Sequence, residues 1–405
     1  MPLLGAVVGT VWINRLADRR WAAAEERIRA LSAAISEGDA RRDPDHVTEA
    51  SKENQIHFVA AIRLAAQRQS RRDEAFDLAG RGRSGEGLDG VLEEAQEFLD
   101  RLHQGARRIA AVPSDAPPRW HGEWDPPTLQ FMMSCSVLRA RRQRDRNAPV
   151  DAAESLIDAL HLGQFWSISG SPVNRSVAPA NTAALMEELR DLLLSSPWSP
   201  QELLRIEREL EPLDAALKSP LPDLERNLAE WGESLRKSDV EQLGLRDEMS
   251  FRWKYLVPQR LMKADAIDFF DRQVRLLLSS EGKGYPELVR LGALGAEESG
   301  RSSNPLLGHI GNLMNSIGWV ELDRKAQFRL LRTAAHYRAT GEVLKIEDPY
   351  GTFIRHAAAP TGMKFWSCGD DGADDGGHTG DRKGWIGPQP GAAPKDLVIE
   401  VPRFK

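Results

Sequence analysis

From Trp21 to Ile35 the apolar positions Trp21, Ala24, Ile28, Leu31 and Ile35 recur at spacings of three, four and seven, with charged residues between them. That is one buried helical face. Gly38-Asp39 and Asp43-Pro44-Asp45 are expected to stop this helix. The pattern predicts a second helix from about Val47 to Leu78, through Ile56, Val59, Ile62 and Leu64. Gly80 to Gly87 reads as a flexible connector, because glycine at this density cannot hold a helix. A third helix follows over Leu88 to Ala111, and then Pro113 to Pro127, a proline-rich loop whose Trp120 and Trp124 read as covers of a core edge.

Thr128 to Arg144 and Pro149 to Phe165 form a predicted helix hairpin around a charged turn. Its basic run Arg139, Arg141, Arg142, Arg144 and Arg146 is expected to be a solvated helix end whose cations offset the dipole. Ser199-Pro200-Gln201-Glu202 is a complete helix start: a hydroxyl cap, proline in the first turn, and a glutamate able to reach back. Further helices are expected to about Leu217, over Pro222 to Arg236 and Pro258 to Leu278, around Tyr285 to Leu294, and from about Pro305 to Tyr337 with Gly341 as its stop. The body therefore reads as an all-α array joined by short polar turns.

The amino terminus breaks this amphipathic pattern. Leu3 to Ile13 is apolar and uncharged, with Trp12 where an interfacial aromatic belongs. A spanning helix needs about 20 apolar residues. Two readings stay open, a membrane anchor whose first residues are missing or the buried start of a long helix. The abrupt turn into Asn14-Arg15-Leu16-Ala17-Asp18-Arg19-Arg20 favours the anchor.

A chain of 405 residues has room for two or three domains, and its 41% hydrophobic and 28% charged residues are those of a globular protein. The net charge of -6 argues against nucleic acid as a partner. Cys135 and Cys368 lie far apart in sequence; they could pair, but one buried thiol and one small packing residue is the expected reading. The motifs of zinc hydrolases, serine hydrolases, phosphate-binding loops and dinucleotide sites are absent. His57, His103, His161, His309 and His336 each stand alone on a helix, and the acidic pairs Glu187-Glu188 and Asp268/Asp271 read as solvated faces.

After Gly341 the pattern changes to short strands and an acidic, glycine-rich loop. Asp370, Asp371, Asp374, Asp375, Asp381 and Asp396 are interleaved with glycines at 369, 372, 376, 377 and 380. Calcium takes six to eight oxygen ligands in a flexible cage, which carboxylates and turn carbonyls supply. The same composition also makes a disordered acidic loop. Both readings stand on spacing alone, and an EF-hand is excluded because its bidentate glutamate is missing.

The hairpin over Thr128 to Phe165 resembles a tetratricopeptide-type unit without the fuller signature of that repeat. A more specific resemblance lies in the tail. Asp348-Pro349-Tyr350-Gly351 with Ile354, then Phe365-Trp366-Ser367-Cys368-Gly369-Asp370-Asp371-Gly372, resembles the carboxy-terminal β region and calcium loop of the major pseudopilins of type II secretion. Leu330 to Arg338 is similar to the end of their spine helix. The resemblance covers about Phe328 to Val401 and implies calcium ligands at the Cys368 carbonyl, Asp371, and carboxylates among Asp374, Asp375, Asp381 and Asp396. About three hundred helical residues precede this module and no prepilin cleavage site precedes Leu3, so the resemblance implies the tail's fold rather than assembly into a pseudopilus. The whole layout is similar to membrane-anchored bacterial proteins.

The expected fold is mainly α: a multi-helix array, partly of tetratricopeptide-like hairpins, with a small pseudopilin-like α+β module at the end. The expected division is a hydrophobic helix over 1–20, long helices over 21–112, a helical body over 128–327 and the tail over 328–405. The expected role is that of a non-enzymatic cell-envelope scaffold with protein partners. Its expected place is the membrane, reached through Leu3–Ile13, with the body facing the periplasm or exterior; a cytoplasmic location is the alternative. A metal-dependent enzyme using the acidic loop and a soluble helical-repeat adaptor are the competing readings.

Overall fold

The computed structural model describes residues 2–41, 49–81, 87–107, 126–169, 172–215, 221–237, 257–279, 291, 294–295, 297–302, 304–368, 374–378 and 396–403. It is mainly α, with one small antiparallel sheet near the carboxy terminus. The chain divides into two compact units. The first is Met1–Asp43 with Ser219–Trp319, and the second is Pro44–Lys218 with Val320–Lys405.

The first unit contains α1 (Pro2–Arg41), α9 (Leu221–Lys237), α10 (Gln259–Leu278) and the first half of α11 (Pro305–Thr340). Its core is the predicted face of α1, Ala24 and Ile28, packed on Leu228, Leu235, Ile267 and Phe270. Trp231 meets Phe270 edge-on at 5.6 Å. Residues 3–13 and the predicted helix after them are one continuous helix that runs through Gly38-Asp39. Gly38-Asp39 does not stop it because a glycine inside a helix costs only about 1 kcal/mol relative to alanine; the helix ends at Arg41, and Asp43-Pro44-Asp45 lies outside the described residues. Among the described residues no helix is long and apolar enough to cross a membrane. Asp268 lies on a partly solvated face but is paired there: Arg20 donates to it at 2.6 Å and Arg27 pairs with it as well.

In the second unit lie α2 (Glu49–Gln67), α3 (Arg72–Arg81), α4 (Leu88–Ala106), α5 (Pro126–Asp145), α6 (Pro149–Ser169), α7 (Pro172–Ser195), α8 (Pro200–Ala215), the end of α11 and the sheet. The expected single helix over residues 47–78 is two helices. It breaks at residues 68–71 because Glu94 of α4 accepts from both the Ser70 amide (3.1 Å) and the Ser70 hydroxyl (2.6 Å), so the chain turns there to start α3. The predicted hairpin is α5 and α6, closed by Asn147 at φ 58°. The capping box at Ser199 forms as expected: its amide donates to Glu202 at 2.7 Å and its hydroxyl accepts the Glu202 amide at 3.3 Å. Gly341, at φ 75°, ends α11 by returning its amide to the Tyr337 carbonyl at 2.8 Å. The connector at 82–86, the proline-rich loop up to 125 and most of the expected helix around 285–294 lie outside the described residues.

Four of the five arginines in the basic run at the end of α5 are paired, and only Arg146 is a solvated end. Arg141 and Arg144 converge on the mostly buried Glu188 of α7 at 2.8 and 2.9 Å, Arg139 reaches Asp100, and Arg142 reaches Asp89. Two of the lone histidines likewise have carboxylate partners: His103 Nδ1 lies 2.7 Å from Asp158, and His336 Nδ1 lies 3.0 Å from Glu207. Both cysteines are buried and free.

The sheet has the order β1 (Arg355–Ala359), β2 (Gly362–Ser367), β3 (Leu397–Pro402), each pair antiparallel. Side chains alternate across it. Met363, Phe365 and Ser367 sit opposite Val401, Ile399 and Leu397 on the inner face, where Tyr337 of α11 meets Phe365 edge-on at 5.3 Å. The other face carries Arg355, Lys364 and Trp366. Gly362 closes the β1–β2 hairpin under the third strand, and a Cβ there would run into the Val401 carbonyl oxygen, with Pro402 C at 2.8 Å and Arg403 N at 2.9 Å. These are backbone atoms with nowhere to move. Gly362→Ala is expected to part the end of β3 from β2 and cost about 1–3 kcal/mol in thermal melts. Gly300→Ala, which meets open space, serves as the control and is expected to be neutral or mildly stabilising.

Candidate functional site

The tail is built on the turn at Asp348. Its carboxylate is buried and ties the turn to the end of β2: Oδ1 accepts from the Tyr350 amide (3.0 Å) and the Ser367 hydroxyl (2.6 Å), and Oδ2 accepts from the Cys368 amide (3.1 Å). The Gly351 amide closes the turn on the Asp348 carbonyl at 3.1 Å, with Pro349 holding the preceding φ. Burial pushes the Asp348 carboxyl above the usual carboxylate range, against the pull of its hydrogen bonds. The Tyr350 hydroxyl donates to Asp323 of α11 at 2.7 Å, which seats the turn on the helix.

Beyond β2, residues 374–378 of the acidic loop lie against the outer face of the sheet. Asp374 Oδ1 accepts from the Trp366 indole (2.9 Å) and the Gly376 amide (3.0 Å), while Oδ2 pairs with Arg355 Nε at 2.9 Å. The indole hydrogen bond, followed by the Gly376 amide and the Arg355 charge, holds its carboxyl below the usual range. Gly376 and Gly377 adopt φ 70° and 76°, which turns their carbonyls toward Lys364 Nζ at 3.5 and 3.2 Å. This left-handed pair is where glycine is required.

Asp396 stands immediately before β3 and is fully buried, at 0% exposure. Its Oδ2 accepts the Gly377 amide at 2.7 Å, which ties the loop to the strand. Its Oδ1 is buried with no hydrogen-bond partner of ordinary geometry among the described residues. Burial raises the Asp396 carboxyl; the Gly377 and Asp375 amides oppose this, and the Asp375 and Asp374 charges add to it.

Of the six expected ligands, Asp374 and Asp375 lie in the described turn 374–378, and the Gly377 amide ties Asp396 to that turn from just before β3. Cys368 is buried beside them at the end of β2, with the Arg355 guanidinium against its thiol. Asp371 and Asp381 lie outside the described residues. Among the described residues, no three His, Cys, Asp or Glu side chains are grouped as a metal site. Comparison with family models, with curated proteins and with solved structures finds no match.

Asp374 is already paired with Arg355, whereas Asp396 Oδ1 is buried without a hydrogen bond of ordinary geometry among the described residues. Sequence reasoning on the acidic loop overlooked Arg355, Lys364 and Trp366. Their signal was the strand alternation, which puts Lys364 and Trp366 on the face opposite Phe365.

Proposed function

We propose that the protein is a non-enzymatic cell-envelope scaffold, attached to a membrane through residues 3–13, whose helical body binds protein partners and whose tail is held by a structural calcium ion. The body supports this reading because its polar interior groups, Arg141 with Glu188 and Arg329 with Asp214 among them, are spent on tying helices together. The observation that carries the calcium is the Asp396 Oδ1, a buried carboxylate oxygen with no hydrogen-bond partner of ordinary geometry among the described residues. A buried ionised carboxylate lacking a partner is costly, and a cation removes the cost. The ion would be held on the Asp396 side of the loop, with Asp375 adjacent and Asp371 and Asp381 as further candidates. It would neutralise the carboxylates that otherwise repel across the turn.

The test is calorimetric titration with calcium, paired with melting curves in calcium and in chelator. Saturable binding is expected, with a stabilisation of about 2.7 kcal/mol at a hundredfold excess over Kd. Asp396→Asn and Asp371→Ala are expected to abolish both effects. In chelator Asp396→Asn is expected to melt no lower than the parent, since the amide removes a buried charge. Absence of heat together with superimposed melting curves would sink the calcium site.

A further inference from the structure

We propose that the exposed face of α1 just past its apolar start is a seat for anionic phospholipid headgroups, with Trp12, Arg15 and Arg19 as its contact residues. The proposal rests on the membrane-anchor reading above and names the lipid class that this anchor meets. Residues 12, 15 and 19 are spaced by three and four, so they share one face of the helix. Trp12 is 63% exposed and Val11 48%, the two most exposed large hydrophobics among the described side chains of α1. Arg15 and Arg19 are exposed as well.

The arginines of α1 divide by partner. Arg20 pairs with Asp265 and Asp268, Arg27 with Asp268, and Arg29 with Glu25. Asp18, the nearest acid, is engaged by Arg260 at 2.7 Å. Among the described residues Arg15 and Arg19 have no carboxylate partner, and they are the two that directly follow the apolar run. An indole at an apolar boundary followed by unneutralised guanidiniums matches the order of hydrocarbon, interface and phosphate in a bilayer. Arginine binds phosphate bidentately, and each basic residue near an anionic surface adds attraction that salt screens. A second copy of the chain would bring the same two cations against themselves, so the charge favours lipid as the occupant.

The experiment is co-sedimentation of the full chain with phosphatidylcholine vesicles and with vesicles containing one quarter phosphatidylglycerol, at low and high salt. Binding to both is expected, about tenfold or more tighter to the anionic vesicles at low salt, with the preference lost at high salt. Arg15→Gln/Arg19→Gln alters only exposed side chains; it is expected to keep binding to neutral vesicles and to lose the anionic preference. Trp12→Ala is expected to weaken binding to both. Equal binding to the two vesicle types, unaffected by the double substitution, would overturn the headgroup seat and leave the anchor standing. Absence of binding to either type would overturn the anchor reading and this proposal with it. Self-association without vesicle binding would assign the face to a second copy.

Discussion

Asp214→Ala is expected to destabilise the second unit by about 3–5 kcal/mol, the cost of leaving buried charge without its partner. Asp214, on α8, accepts from Arg329 Nε at 3.1 and 3.2 Å and from Arg332 at 3.1 Å, both on α11. Only 6% of its side chain is exposed, against 14% for Arg329 and 11% for Arg332. Water therefore cannot take over the role of the lost carboxylate. Arg329 also donates to the Glu347 carbonyl at 2.7 Å, so a loosened guanidinium disturbs the approach to the Asp348 turn as well. The control is Glu211→Ala: Glu211 pairs with Arg332 but is 61% exposed, and its loss is expected to cost under about 1 kcal/mol. Urea denaturation followed by circular dichroism reads both, as a shift in midpoint at constant slope. Equal costs for the two variants would show that Asp214 does not join α8 to α11.

The second large effect is acid lability at His161. This residue of α6 is 8% exposed, and burial together with the Arg107 charge pushes its pKa down to about 4. Unfolded, it titrates near 6.5. Between those values the unfolded chain holds the proton more tightly, so the His161 contribution is complete above pH ~6.5 and is lost as the pH falls toward 4. The loss amounts to about 3 kcal/mol. Its neighbour His103 runs the other way. The Asp158 hydrogen bond raises its pKa, so its contribution is full below ~6.5 and disappears as the pH rises through the raised value. Melting curves of the parent and His161→Leu from pH 4 to 8 are expected to converge or cross toward acid, by about 3 kcal/mol in the variant's favour. His103→Ala is expected to lose more relative to the parent at pH 5.5 than at pH 8. Parallel profiles for the His161 pair would refute the assignment.

Several elements were legible because their causes are local. The capping box at Ser199 joins residues three apart, and the stop at Gly341 needs one left-handed residue and one amide returned four positions. The face of α1 buried in the first unit is the one its periodicity marks, Ala24 and Ile28. The turn from helix to strand after Gly341, and the glycines that let Gly376 and Gly377 take positive φ, were readable from composition and alternation.

Where local pattern misled, the deciding partner was remote. The break before α3 is made by a glutamate 24 positions away from Ser70. Arg141 looked like a helix-end cation until Glu188, 47 positions on, gave it a counter-charge. His103 looked solitary although Asp158 lies 55 positions further along. In the acidic loop all the carboxylates look alike in sequence, and yet the fold gives Asp374 an arginine and an indole while it buries Asp396 with one oxygen lacking a hydrogen bond of ordinary geometry among the described residues.

By itself the sequence determined the helical class, the cap at Ser199 and the stop at Gly341, the short strands at the end and the apolar start, because hydrophobic period and backbone preference act within a few residues. Only the tertiary structure decided that α1 packs with helices more than two hundred residues later, and which charges are paired, buried or left exposed. The physical reason is that an ion pair or a desolvated carboxylate depends on distance and dielectric in space, and neither is written in the spacing of residues along the chain.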